Sequence, residues 1–168
     1  MNTAQGNTVF HPFPPVYNAT SRVLILGSFP SVASRAQAFY YGHPQNRFWR
    51  LLAALLELPL PGSIEEKKEL LLQHHIALYD AINSCNIVNS ADASIHAAVP
   101  TNLDTIFAAA DIRAVFANGA AAYRVCTKQI GIPAVKLPST SSANARFTFE
   151  DLVAAWKPLC AYLSGDKR

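Results

Sequence analysis

The chain has 168 residues, 51% of them hydrophobic, which is enough for one domain with a substantial core and too little for two. Its 14 basic and 11 acidic residues leave a net charge of +3, too mild to demand a polyanionic partner, and Cys85, Cys126 and Cys160, far apart and in no C-x-x-C pair, argue against a disulfide framework or a zinc or iron–sulfur site. No run approaches the roughly 20 apolar residues of a membrane span, and residues 1–18, polar then proline-rich, lack the basic start and apolar stretch of a secretory signal, so a cytoplasmic protein with an irregular N-terminal segment is expected.

Arg22-Val23-Leu24-Ile25-Leu26-Gly27 is a short continuous apolar run, which predicts a central parallel strand buried on both faces. A Ser- and Ala-rich segment (31–38) and an aromatic-polar stretch (39–46) follow. Phe48, Leu51, Leu52, Leu55 and Leu56 then recur at helical spacing until Pro59 and Pro61 stop the helix. Ser63-Ile64-Glu65-Glu66 reads as a capping box opening a helix to about His74, and 76–79 is the second strand. Residues 80–99 carry little periodicity and read as a long loop with short turns, a length that inside a domain points to function. Leu103, Ile106 and Phe107 predict a helix capped near Thr101, and 114–117 is the third strand. The alanine-rich stretch 119–130 is a helix stopped by Gly131 and Pro133, and 134–137 is the fourth strand. Thr148-Phe149-Glu150-Asp151 starts a last helix that Pro158 should bend or break. This alternation predicts a three-layer α/β/α fold with a central, mostly parallel sheet of four strands.

Each apolar run ends in a small polar cluster: Gly27-Ser28-Phe29-Pro30-Ser31, the stretch 80–86, Asn118-Gly119, and Pro138-Ser139-Thr140-Ser141. In a parallel sheet these ends converge at one edge, where open α/β folds bind ligands. That edge holds hydroxyls, amides, aromatics and arginines (Arg35, Arg47, Arg50 and Arg146 lie in or beside these loops) and almost no carboxylate. Such chemistry suits a flat, uncharged, hydrogen-bonding group next to a phosphate, as in a nucleobase on its backbone.

Other chemistries lack their signatures. There is no G-x-x-x-x-G-K-[ST], no G-x-G-x-x-G after the first strand and no G-x-S-x-G. Two-metal chemistry needs several carboxylates at the strand ends, where only Asp80 and Asp92 are candidates, and adjacent His74 and His75 point apart on any regular element, so metal-independent chemistry is expected.

Gly27-Ser28-Phe29-Pro30-Ser31, the segment Tyr40-Tyr41-Gly42-His43-Pro44-Gln45-Asn46-Arg47-Phe48-Trp49, and Leu137-Pro138-Ser139-Thr140-Ser141-Ser142-Ala143-Asn144-Ala145-Arg146 resemble the uracil-DNA glycosylase superfamily, most of all its hypoxanthine-DNA (deoxyinosine) glycosylase branch. Asp80-Ala81-Ile82-Asn83-Ser84-Cys85-Asn86 and Ser90-Ala91-Asp92-Ala93-Ser94-Ile95 are similar to that branch's middle segment, so the resemblance runs over about 22–163. It implies a single glycosylase-like domain, monomeric, that needs no cofactor or metal. It would act on double- or single-stranded DNA containing a deaminated base and hydrolyse the N-glycosidic bond, releasing hypoxanthine from deoxyinosine, with uracil or xanthine as side substrates. A uracil or mismatch glycosylase, a non-catalytic DNA or nucleotide binder, and a hydrolase of free nucleosides are the competing expectations. No lysine lies in these motifs, so no lyase step is expected.

By resemblance, Asn46 is the catalytic residue: its amide offers two donors and an acceptor to water or a departing base, and it also suits the N-cap of the helix that follows. Gly27, Ser28, Phe29, Tyr41 and Asn118 are expected to form the base pocket. Phe29 stands where uracil-specific branches carry the residue that activates water; it would stack on the flipped base or plug the core. Asn118 would read a base edge or serve the turn before Gly119. Leu137 stands where uracil-specific relatives carry a histidine. Pro30, Ser31, Arg47, Ser139, Thr140, Ser141, Asn144 and Arg146 are expected to contact DNA, and His43 to be an exposed loop residue.

Overall fold

Val23–Gly27 (β2) is buried along its whole length, as a strand covered on both faces must be. In the computed structural model, which describes residues 7–87 and 95–163, it is the second of four strands in a parallel sheet whose strands run, edge to edge, 76–80, 23–27, 114–118 and 135–137. The others are Ile76–Asp80 (β3), Ala114–Asn118 (β6) and Val135–Leu137 (β7). All four strands expected from the apolar runs are present. The helices are Val32–Gln37 (α1), Phe48–Leu56 (α2), Ile64–Gln73 (α3), Asp104–Ala109 (α4), Ala120–Arg124 (α5, continued by a wider-turned segment Val125–Ile130) and Phe149–Trp156 (α6).

The period of two along each strand divides the core. Val23 and Ile25 of β2, Ile76 and Leu78 of β3 and Phe116 of β6 pack with Leu51 and Leu52 of α2, Leu71 of α3 and Trp156 of α6. Leu24, Leu26, Ala77 and Val115 face the other way, onto Ile106 of α4 and Val125 and Cys126 after α5. The result is the expected three layers.

Two expectations need correction. The stretch read as a loop contains strands Ile82–Ile87 (β4) and Ile95–Pro100 (β5), and the N-terminal segment read as irregular contributes Asn7–Phe10 (β1). These form an antiparallel sheet of order β1-β4-β5, and Val16 bridges Leu78 through two backbone hydrogen bonds of 2.9 Å. The register of β4 against β5 shifts twice between Ile82 and Asn86, so the apolar alternation slips and no period of two survives in the sequence. Of the similar middle segment, residues 90–94 lie outside the described residues.

Helix ends follow their chemistry with small departures. Ser63 Oγ accepts from Glu66 N at 3.1 Å, but Glu66 reaches the Gly62 amide at 2.6 Å, so the box closes one residue early. The start of α4 is served by Asn102, whose Oδ1 accepts from Asp104 N, whereas Thr101 is buried with its N–H on Ala81 O. Thr148 and Asp151 complete a reciprocal box, and Pro158 tightens the chain into the 3-10 turn Lys157–Tyr162. No helix among the described residues is long and apolar enough to cross a membrane.

Candidate active site

Parallel pairing sets Gly27 beside Asp80, and Phe116-Ala117-Asn118 beside Val135-Lys136-Leu137, so the loops after the strands open at one edge. There they enclose a cavity of about 450 Å³ lined by residues 27–31, Ser34, Tyr40, Tyr41, His43, Asn46, Asp80, 118–121 and 139–143. Of the residues singled out from the sequence, Gly27, Ser28, Phe29, Pro30, Ser31, Tyr41, Asn46, Asn118, Ser139, Thr140 and Ser141 meet here. Arg47, Asn144 and Arg146 do not line it.

One wall is a directed chain of hydrogen bonds. The Phe48 N–H can only donate, so the Asn46 atom 2.9 Å from it is the amide oxygen, and this fixes which way the side chain faces. The Thr140 hydroxyl donates to the same oxygen at 2.9 Å. It accepts in turn from Asn118 Nδ2 at 3.1 Å, while Asn118 Oδ1 accepts from Thr140 N at 3.1 Å. Both lone pairs of Asn46 Oδ1 are therefore taken, and its amino group is the part left for the cavity. The oxygen of Asn46 serves the first amide of α2, and Asn46 is also among the residues that line the cavity.

Three residues expected to touch DNA are placed otherwise. Thr140 is 1% exposed, because it is the bridge between two amides. The Arg47 guanidinium binds the backbone carbonyls of Thr140, Ser141, Asn144 and Phe147, stapling the last loop to the start of α2. Asn144 folds back on Ser139 O at 3.1 Å. Arg146 is exposed, Ser31 is exposed and caps α1, and Ser139 and Ser141 are half-buried at the rim. Pro30 is buried, with its carbonyl held by Arg35 at 2.9 Å. His43 is exposed.

A second wall holds Gly27, Phe29 and Tyr41, as the sequence predicts, together with a buried pair, His11 and Asp80, that it does not. Asp80, at the end of β3, is 3% exposed and lines the cavity, so the edge does carry a carboxylate. Its Oδ2 lies 2.8 Å from His11 Nε2, and His11 Nδ1 lies 2.8 Å from Phe13 O. A carbonyl only accepts, so Nδ1 carries hydrogen and one further proton sits on the line between Nε2 and Oδ2. Rings of Phe13, Tyr79, Phe29 and Tyr40 surround the imidazole with centroids 4.6, 4.9, 6.0 and 6.0 Å away. Phe29 thus both packs in the core and lines the cavity. Above Gly27, a Cβ would fall 2.5 Å from Asp80 Oδ1 and 2.7 Å from the Tyr41 hydroxyl, so only glycine lets those two oxygens share the space. Tyr41 is held at φ 54° with its ring stacked on Phe48 at 4.2 Å, and its buried hydroxyl has no hydrogen-bond partner among the described residues. Burial, and behind it the Asp80 charge, raises the pKa of Tyr40 and Tyr41 far above the phenolic range, so both stay neutral donors; Asn118 opposes the shift at Tyr41 without reaching hydrogen-bond geometry.

The signals for this pair were faint but present. His11 sits in a proline-braced segment with Pro12, Pro14 and Pro15, and Asp80 is an acidic residue closing an otherwise apolar strand. Their separation of 69 residues hides the pairing.

The profile of the Uracil DNA glycosylase superfamily matches residues 14–160. The chain belongs to the uracil DNA glycosylase superfamily. This superfamily member is 33% identical over 140 residues to a Methanosarcina acetivorans protein named hypoxanthine DNA glycosylase, covering 81% of this chain and 89% of the other. A Methanosarcina barkeri protein of the same name is 30% identical over 138 residues, 80% and 87% of the two chains. A solution NMR structure from Methanosarcina acetivorans, described as a candidate uracil DNA glycosylase, superposes with a TM-score of 0.72 at 29% identity, covering 88% of this chain and 96% of that one. The superfamily chain buries Leu137 at 3% exposure, so that position sends no side chain to a base. Among the described residues, no group of three or more His, Cys, Asp or Glu side chains could hold a metal ion.

Proposed function

We propose that this superfamily member is a monofunctional DNA glycosylase that releases hypoxanthine from deoxyinosine in DNA, acting as a single domain without metal or cofactor. The observation that carries the reading is the saturation of Asn46 Oδ1 by Phe48 N–H and the Thr140 hydroxyl, which leaves a donor-only amide on the cavity. Deamination replaces the amino group of adenine by a carbonyl, so a donor fixed at the base edge favours hypoxanthine and meets adenine donor to donor. A cavity of about 450 Å³ has room for a flipped purine. Asn46 bonds the carbonyl or the departing base, Asn118 and Phe29 hold the base, and rim residues Ser31, Ser139 and Ser141 with exposed Arg146 contact the flanking backbone.

Uracil is the competing base, because its carbonyls would meet the same donor; the names of the two relatives at 30% and 33% identity favour hypoxanthine. A panel of duplexes carrying inosine, uracil or xanthine, with Asn46→Ala and free deoxyinosine alongside, tests the reading. The expected result is hypoxanthine release from the duplex, little from the free nucleoside, and a steep fall with salt. Uracil release without inosine release would replace the substrate, and binding without release of any base would make the protein a reader of DNA.

A further inference from the structure

In base release by hydrolysis water attacks the sugar, and Phe29, which follows Gly27-Ser28, is an apolar ring that cannot accept a proton from it. The adjacent strand supplies a carboxylate: Asp80 is the register partner of Gly27 and reaches the cavity from the side. Its two oxygens are unequal. Oδ2 is held by His11, whereas Oδ1, with no hydrogen bond among the described residues, shares the space above Gly27 with the buried hydroxyl of Tyr41, likewise without a partner among them. A buried carboxylate and imidazole are costly to keep where well-packed apolar groups would serve packing as well. A cradle of one acceptor and one neutral donor is what a single water needs in order to be held and deprotonated.

We propose that Asp80 is the base that deprotonates the attacking water and that His11 positions it. The inference rests on the glycosylase reading above. In the step, the C1′–N9 bond breaks with its electron pair on the purine, the water oxygen bonds to C1′, and one water proton passes to Asp80 Oδ1. The purine anion takes a proton from solvent, and Asp80 returns its proton to solvent as products leave. Wherever the proton on the line from Nε2 to Oδ2 rests, the pair has room for one more at Oδ1, ending as a carboxylic acid beside an imidazolium. His11, with its side chain 1% exposed and its Nδ1–H on Phe13 O, turns Oδ2 away and presents Oδ1.

Single-turnover release from an inosine duplex, with binding to the same duplex measured in parallel, tests the assignment. Asp80→Asn preserves shape but cannot take the proton, and release should slow about 100-fold or more while affinity stays within about threefold. A rate within about threefold of wild type overturns the assignment, as does an equal loss of rate and affinity. Should Asp80→Asn not fold, Asp80→Ala with added formate replaces it: recovery of release with formate and not with chloride supports the role, and no recovery in folded protein overturns it. For His11, replacement by Ala should lower kcat about tenfold at unchanged KM, and His11→Gln, which can still donate to Asp80, should restore most of it. A loss confined to KM, or equal in both variants, overturns the positioning role. Wild-type protein releasing no base from inosine, uracil or xanthine duplexes would overturn the glycosylase reading and this assignment together; release by wild type and Asp80→Asn alike overturns only the assignment.

Discussion

The cavity has two polar walls, made of similar atoms and differing in how many of those atoms are engaged. On the side of Asn46, Thr140 and Asn118, every oxygen in the chain of bonds has its partner, and the geometry of one amide follows from an N–H that can only donate. On the side of Gly27, Tyr41 and Asp80, a buried hydroxyl and a carboxylate oxygen border the same space above Gly27, each without a hydrogen bond among the described residues. A saturated wall is rigid and presents a fixed pattern, which suits recognition; an open wall can accept and release a proton, which suits reaction.

Substitutions can break this contrast, and the largest effect is expected at Asn46. Asn46→Ala removes the donor and the acceptor of the Phe48 amide at the start of α2, with release falling about 1,000-fold and stability by about 1 kcal/mol. Asn46→Asp keeps an acceptor for Phe48 and Thr140, so urea unfolding should recover while single-turnover release does not. Next comes Gly27→Ala, whose methyl meets Asp80 Oδ1 and the Tyr41 hydroxyl and should displace both, costing about 100-fold in release with duplex affinity retained. Thr140→Val cuts the saturated wall in the middle. Release should drop about tenfold and stability by about 1–3 kcal/mol, and Thr140→Ser should restore both. Arg47→Ala should leave the rate at saturating duplex near wild type but raise hydrogen exchange across residues 138–147, since four carbonyls lose their donor. Arg50, exposed and stacked 5.5 Å over Phe149, belongs to neither wall; its replacement by Ala should cost no more than about 0.5–1 kcal/mol and leave release unchanged.

The parts of the molecule that were legible in the sequence are those whose physics is local. Val23 to Leu26 announce a two-sided strand because four consecutive apolar residues need cover on both faces, and Thr148 with Asp151 announce a helix start three residues apart. Asn46 was legible through its motif, although its motif could not say that Phe48 and Thr140 would fix its orientation. The small antiparallel sheet escaped because β1 is four residues long, its Phe10 is exposed, and its partner Asn86 lies 78 residues away from Thr8. The His11 and Asp80 pair escaped for the same reason, and Arg47 misled because a guanidinium beside a Ser/Thr loop suits a phosphate and a set of carbonyls equally well.

Four carbonyl oxygens occupy the Arg47 guanidinium but cancel none of its charge, for a carbonyl is only a dipole, and no carboxylate pairs with it among the described residues. A full positive charge is therefore built into the scaffold behind the rim. A polyanion approaching the opening would feel it over about 10 Å at 0.1 M salt. Its contribution belongs to the speed of encounter, read as a steeper ionic-strength dependence of the association rate than rim contacts alone would give.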